Sequence, residues 1–233
     1  MKIDQSKILV TGGTLGIGKV TAELLIKSGA EVAITGRDRD RVESVANEIG
    51  AFPITADVAD TEAVDRTFEQ FMSRFGRLDC LINNAGIGTF TPVDTLSVED
   101  FEKIFRVNVY GAAMMATRAI PIFKEQGKGN IINIGSTAAL NGFANGTVYS
   151  ASKFALRGMT QCWQAELRKH NIRVLLVNPS EVATAFANKE RKEREAAANK
   201  LSSMEIAHSI KAVLEMDDRG FIPELSVWAT NPW

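Results

Sequence analysis

Lys7-Ile8-Leu9-Val10-Thr11-Gly12-Gly13-Thr14-Leu15-Gly16-Ile17-Gly18 is the stretch on which the fold turns. Its opening run is apolar without alternation, the pattern of a short strand buried on both faces. From Gly18 to Ser28 the spacing changes, and Val20, Leu24 and Leu25 fall on one face of a helix. Between strand and helix, Gly12 allows a tight turn and Gly16 a close approach of backbone to a bound group. Gly18 allows close packing of the helix on the sheet. The helix start presents unpaired N–H groups and the positive end of its dipole, which suits phosphate. Such a turn can be a plain strand-to-helix connection. Placed after a first strand and before a helix, it reads as a dinucleotide-binding turn.

The same alternation runs outward to both ends. Strands are predicted at 7–11, 31–35, 52–56, 78–83, 130–134, 172–177 and near 221–227. Helices are predicted at 18–28, at 39–49 with Asp38 as cap, and from Asp60 or Thr61 to Phe75. Others follow at 97–126, bent or interrupted near Pro121, at 148–169 and at 204–216. Strands separated by helices of this length pair in parallel through right-handed crossovers. No linker breaks the pattern, so residues 1–233 are expected to form one α/β domain. Its core is a doubly wound, seven-stranded parallel sheet with helices on both faces. In such sheets ligands bind beyond the carboxyl ends of the strands.

Charge narrows the function. Twenty-seven basic residues against 28 acidic ones give a net charge of −1, which argues against nucleic acid and against a polybasic membrane anchor. Two cysteines, Cys80 and Cys162, cannot build a disulfide framework, and His170 and His208 have no metal-ligand spacing. Metal is therefore not expected. With no signal-like start and no long apolar run, a soluble cytoplasmic protein is expected.

Further segments carry chemistry. Tyr149 and Lys153 lie four apart on a predicted helix, so a phenol and an ammonium share one face. A nearby cation stabilises a phenolate. Ser136 ends the preceding strand. Together with the TGxxxGxG spacing of Thr11 to Gly18, the chain carries Asp57-Val58, Asn83-Asn84-Ala85-Gly86, Asn108, Ser136, Tyr149-Ser150-Ala151-Ser152-Lys153, and Asn178-Pro179 with Thr184. In these motifs and their order it resembles the short-chain dehydrogenase/reductase family, in its compact single-domain branch, over nearly its whole length.

The resemblance implies a Rossmann-type fold and hydride transfer between a nicotinamide and a carbonyl or alcohol carbon. Tyr149 would give or take the proton, and Lys153 would lower the tyrosine pKa and hold the nicotinamide ribose. Ser136 would orient the substrate oxygen. Asn108 would interrupt its helix and support a proton path to Lys153, unless it is an ordinary buried polar residue. The cofactor would lie along Gly12, Thr14, Leu15, Gly16, Ile17 and Gly18, then Asp57, Val58, Asn84, Ala85 and Gly86, and also Pro179, Val182 and Thr184. Asp57 would accept from the adenine amino group or else cap the next helix.

Thr35-Gly36-Arg37 stands where a ribose-binding carboxylate is usual in NAD-binding relatives, and Arg37 suits a 2′-phosphate. NADP(H) is thus the expected cofactor, with NAD(H) as the alternative and an exposed Arg37 as the bland reading. Ser180 and Gly135 depart mildly from the family pattern. The ending Phe221-Ile222-Pro223-Glu224-Leu225-Ser226-Val227-Trp228 lacks the glycine-rich close of many 3-oxoacyl-carrier-protein reductases. Lys124, Lys128, Arg168 and Lys169 read as a solvated face.

The charged segment 184–203 reads as a solvated helix and, by resemblance, as a substrate lid. Met114, Met115, Met159 and Trp163 exceed what a sheet-facing stripe requires, and the family commonly joins subunits there. A homotetramer is expected ahead of a dimer. The expected activity is an NADP(H)-dependent carbonyl reductase or alcohol dehydrogenase. The alternatives are a 3-oxoacyl-[acyl-carrier-protein] reductase and a catalytically silent dinucleotide sensor.

Overall fold

The computed structural model describes residues 1–188, 192–195, 197 and 199–231. In chain order the elements are β1 (Lys7–Val10), α1 (Gly16–Lys27), β2 (Glu31–Gly36), α2 (Arg39–Ile49), β3 (Phe52–Thr55), α3 (Thr61–Phe75) and β4 (Cys80–Asn83). They continue with α4 (Val98–Phe105), α5 (Ala112–Gln126), β5 (Gly129–Ile134), α6 (Thr147–Leu167), β6 (Ile172–Pro179), α7 (Ser203–Glu215) and β7 (Glu224–Val227).

The seven strands form one sheet in the order β3-β2-β1-β4-β5-β6-β7, with each pairing parallel. Alternate residues of one strand feed opposite layers, because successive side chains point to opposite faces. Leu9, Leu81, Ile131 and Val174 pack with Phe71 of α3 and with Met115 and Phe123 of α5. Ile8, Val10, Ile82, Ile132 and Leu175 pack on the other side with Leu25 of α1 and Ile206 and Ile210 of α7. Continuous apolar strands are the signature of this arrangement. The order reverses between β1 and β4, which opens the crevice where ligands bind in such sheets.

Local caps fall where expected. The Asp38 side chain accepts the Arg41 N–H at 3.2 Å at the start of α2, and Asp60 accepts the Glu62 N–H at 2.9 Å at the start of α3. Two expectations are corrected. The 97–126 helix is not interrupted at Pro121, which lies inside α5; the break is a π-helical stretch over Arg106–Gly111, between α4 and α5. Such stretches often mark functional positions, and this one holds Asn108. Segment 184–203 is not the expected solvated helix, since no described residue from 184 to 202 is helical. Its side chains instead bond the local backbone: Arg194 Nε donates to the Thr184 carbonyl at 3.0 Å, and a Glu193 oxygen accepts the Ala185 N–H at 2.9 Å. A bridge between Val182 and Leu201 closes the segment. Residues 189–191, 196 and 198 of that expected helix lie outside the described residues. No helix among the described residues is long and apolar enough to cross a membrane.

Candidate active site

The turn after β1 is built around two close approaches. Gly12 has φ +64°, and a Cβ there would lie 2.9 Å from the Ala85 backbone. Gly16 has φ +53°, a left-handed conformation that costs most residues energy. Asn84 Nδ2 donates to the carbonyls of Thr11 and Gly12 at 2.9 and 3.0 Å, while Thr11 Oγ1 accepts the Asn84 and Ala85 N–H groups at 3.0 Å each. The ends of β1 and β4 are thereby fastened into one rigid lip. At Gly18 a Cβ would meet Asn84 Nδ2 at 2.3 Å, so this glycine makes room for the lip more than for the sheet.

A cavity of about 800 Å³ runs along this lip. Arg37, Asp57 and Val58 stand at one end; Thr14, Leu15, Gly16 and Ile17 form a side; Asn84, Ala85 and Gly86 form another. Tyr149, Lys153, Pro179, Val182 and Thr184 stand at the other end. Of the expected cofactor-side residues only Gly18 lies outside the wall. Arg37 Nη1 is 3.8 Å from Asp57 Oδ2, and both side chains are partly exposed. Asp57 Oδ1 accepts the Ala59 N–H at 2.9 Å, and Asp60 serves as the α3 cap. The N-cap of α1, Leu15, provides no side-chain acceptor. The Gly16 N–H is met instead by Glu193 Oε1 at 2.6 Å. That contact spans most of the chain, and spacing alone does not suggest it.

Ser136, Tyr149 and Lys153 come together at the inner end. Asn178 Oδ1 accepts the Ser136 N–H at 3.2 Å, and its Nδ2 donates to Glu224 Oε1 at 2.8 Å. A Cβ at Gly135 would sit 2.2 Å from Asn178 Oδ1, which accounts for the glycine before Ser136. The Ser180 N–H donates to the Val227 carbonyl at 2.9 Å, tying the residue after Pro179 to β7. Tyr149, in the first turn of α6, is buried, and it lines the same cavity wall as Ser136. Burial pushes the phenol up to about 12, against the opposing effect of Ser136. Lys153, one turn on, is buried and donates to the Ile134 carbonyl at 2.8 Å. Its Nζ lies 5.8 Å from the Tyr149 ring centroid, and burial pulls its pKa down to about 8.

The expectation that Lys153 lowers the phenol pKa is corrected: burial raises it, and the opposing effect comes from Ser136, not from Lys153. At neutral pH the phenol keeps its proton and the amine its charge. Asn108 Oδ1 accepts the Ile87 N–H at 2.9 Å, and its Nδ2 donates to the Ile87 carbonyl and to Ser152 Oγ. It braces the loop that passes Gly86 against α6 and makes no hydrogen bond to Lys153.

A second cavity, of about 640 Å³, meets the first at Ser136 and Tyr149. Phe90, Phe143, Phe186 and Trp228 stand around it. The sequence reading did not single out Phe90, Phe143 or Trp228 as site residues. The available signal was large aromatic residues in loops of small and polar ones. Among the described residues, no group of three or more His, Cys, Asp or Glu side chains could hold a metal ion.

Comparisons with known proteins agree with this geometry. The family model for short chain dehydrogenase matches residues 6–195. An uncharacterized oxidoreductase of Staphylococcus aureus (strain MRSA252) is 31% identical over 223 residues, which cover 94% of this chain and 95% of the relative. An alcohol dehydrogenase from the archaeon Thermococcus sibiricus, solved with 5-hydroxy-NADP, superposes with a TM-score of 0.90 at 26% identity, over 97% of each chain. A 3-ketoacyl-(acyl-carrier-protein) reductase from Brucella melitensis, solved with NADH, gives a TM-score of 0.90 at 29% identity, over 99% of this chain and 100% of that one. With its glycine lip, its parallel sheet and its serine, tyrosine and lysine at one point, the chain belongs to the short-chain dehydrogenase/reductase family, whose oxidoreductases act on alcohol and carbonyl groups with a nicotinamide dinucleotide.

Proposed function

We propose that this protein is an NADP(H)-preferring carbonyl reductase or alcohol dehydrogenase that works in the direction of reduction at neutral pH. The meeting of Ser136 and Tyr149 at the junction of the two cavities, with Lys153 one turn on, is the observation that carries this reading. The residues fit a dinucleotide: the lip leaves no room for a Cβ at Gly12, and a carboxylate already accepts an N–H at the α1 start. A nicotinamide dinucleotide, when bound, supplies or accepts the hydride. Ser136 and Tyr149 both donate hydrogen bonds to the substrate oxygen, and Tyr149 gives it a proton as negative charge develops there. Lys153, charged below about pH 8, holds positive charge beside the phenol and replaces its proton. Asn108 is a positioning residue that braces α6 at Ser152.

Arg37 is assigned to the 2′-phosphate of NADP(H), with NAD(H) as the weaker ligand. The two exposed partners Arg37 and Asp57 lose little by separating, since surface pairs contribute about 0–1 kcal/mol. Segment 184–203 serves as the lid over the substrate, within a single domain spanning 1–233. A cytoplasmic site of action fits the two free thiols, Cys80 and Cys162. A homotetramer, or failing that a dimer, forms through the face carrying Val98, Tyr110 and Phe154, which are exposed apolar residues on and beside α4 and α6. Met115, counted in the sequence toward that face, is core instead.

Likeness to the Brucella melitensis enzyme favours a second reading, reduction of a 3-oxoacyl group on a carrier protein. A silent dinucleotide sensor is disfavoured because Ser136, Tyr149 and Lys153 are all present and adjacent. The test is a panel of ketones, acyl thioesters and alcohols offered with each nicotinamide and followed by nicotinamide absorbance. Turnover of a carbonyl compound is expected. Cofactor binding with no turnover of any compound would leave the sensor reading standing and overturn this one.

A further inference from the structure

We propose that the substrate is an uncharged ring ketone, aryl or alicyclic, held by its ring against Phe90, Phe143 and Trp228. This rests on the carbonyl-reductase reading above and narrows it. The aromatic residues form a continuous series that starts at the proton donor. Tyr149 and Phe90 have ring centroids 5.8 Å apart at an interplanar angle of 78°, and Phe90 and Phe143 are 5.7 Å apart at 58°. On its other side Tyr149 meets Phe186 at 5.4 Å and 55°. A carbonyl that bonds Ser136 and Tyr149 therefore places whatever is joined to its carbon beside the Phe90 ring. Edge-on and tilted packing of this kind leaves ring faces open to a further ring.

These rings are not consumed by the core. Phe90, Phe143 and Trp228 are 46%, 49% and 61% exposed, yet they line a cavity of about 640 Å³, within the roughly 300–1,000 Å³ usual for small-molecule sites. Large exposed apolar side chains gathered in a concave surface mark a binding site. Aromatic side chains are also stiff, so they lose little freedom when a flat ligand covers them.

Among the described residues, the charged ones of this wall, Glu181 and Arg194, point to a neutral substrate. They are 3.8 Å apart, and outside the wall Lys200 Nζ lies 3.4 Å from the other oxygen of Glu181. Arg194 further spends Nε and Nη2 on the carbonyls of Thr184 and Val182. Glu181 and Arg194 thus balance each other in charge, and with Arg194 turned to the backbone the wall has no net charge to select an ionic group on the substrate. A flexible acyl chain would lose rotamer freedom along a wide wall, whereas a rigid ring does not.

The experiment compares 1-tetralone, 2-decanone and the acetoacetyl thioester of N-acetylcysteamine as substrates with NADPH. In parallel, binding of 1-tetralone and 2-decanone to the enzyme–NADP+ complex is measured by calorimetry. The expected kcat/KM for 1-tetralone exceeds that of the other two by about tenfold or more, with tighter binding than 2-decanone. Phe90→Leu and Phe143→Leu, which keep apolar bulk but remove the ring, should cost 1-tetralone about tenfold more than they cost 2-decanone. Higher kcat/KM for 2-decanone or for the thioester overturns the ring-ketone inference and leaves the reductase reading intact. Selective binding of 1-tetralone with no turnover of any compound supports the ring site and overturns the reductase reading. Absence of both binding and turnover overturns both.

Discussion

Glu193 holds Gly16: one carboxylate oxygen accepts the Gly16 N–H at 2.6 Å, while the other accepts the Ala185 N–H at 2.9 Å. The positive end of α1, suited to a phosphate, is thus met by an anion from the chain itself. A cofactor phosphate bound at this turn would compete with Glu193 for the same N–H, and part of its binding free energy would go into displacing the carboxylate. Glu193→Ala should lower the Kd for NADP(H) by about three- to tenfold, with Glu193→Gln in between. Titration of NADPH fluorescence checks this, and weaker binding by the alanine variant would show that Glu193 assists the cofactor.

Tyr149→Phe keeps the ring that packs on Phe90 and Phe186 and removes only the hydroxyl. Turnover should fall by about 10²–10⁴-fold, the range for loss of a positioned proton donor, with cofactor affinity retained. Steady-state kinetics beside a cofactor titration measure both. A variant within a few fold of the parent would rule Tyr149 out as the donor.

Lys153 links activity and stability to pH in opposite senses. Its amine is charged below about pH 8 and Tyr149 stays protonated to about 12, so reductive kcat/KM should hold through neutrality and decline as pH rises above 8. The folded-state pKa is depressed from 10.5, so between about 8 and 10.5 the unfolded chain binds the extra proton and stability rises with pH. Below pH 8 the burial penalty is present in full, on the order of 3 kcal/mol. Lys153→Met removes it and loses the bond to the Ile134 carbonyl, worth about 1 kcal/mol. The inactive variant should be more stable than the parent at pH 7 and lose that advantage at pH 10.5. Urea unfolding at the two pH values decides it, and a less stable variant at pH 7 would count against this assignment.

Arg37 faces Asp57 across 3.8 Å, while Asp38 is turned into the α2 cap. No carboxylate from the end of β2 then repels a 2′-phosphate. Arg37→Ala should cost NADPH about ten- to a hundredfold in affinity and leave NADH within threefold. Calorimetry at fixed salt reads the difference. Equal affinity of the parent for both cofactors would make Arg37 a surface residue only.

Features set by neighbours in the chain were legible in the sequence. Apolar runs, helix stripes, the caps Asp38 and Asp60, the glycine turn and the pairing of Tyr149 with Lys153 depend on spacing of a few residues. Backbone geometry translates such spacing directly into a face or a turn. The residues gathered at the candidate site, Ser136, Tyr149 and Lys153, were therefore named from the sequence, and the sheet has the expected number of strands. The resemblance to known relatives added roles that spacing alone does not assign.

Contacts between distant segments were decided only in three dimensions. Asn178 reaches Ser136 because β5 and β6 are neighbours in the sheet, and Gly135 is small because that contact passes over it. The break in the long helix falls at Asn108 and not at Pro121, because Asn108 can bond Ile87 and Ser152 from other elements. Charge spacing suggested a helix in 184–203, but Glu193 and Arg194 find backbone partners at Gly16, Val182 and Thr184. The same holds for Phe90, Phe143 and Trp228, loop and chain-end residues in sequence and one wall in space. Crossover connections carry these residues to one end of the sheet, and periodicity records which face a residue takes without recording what stands opposite.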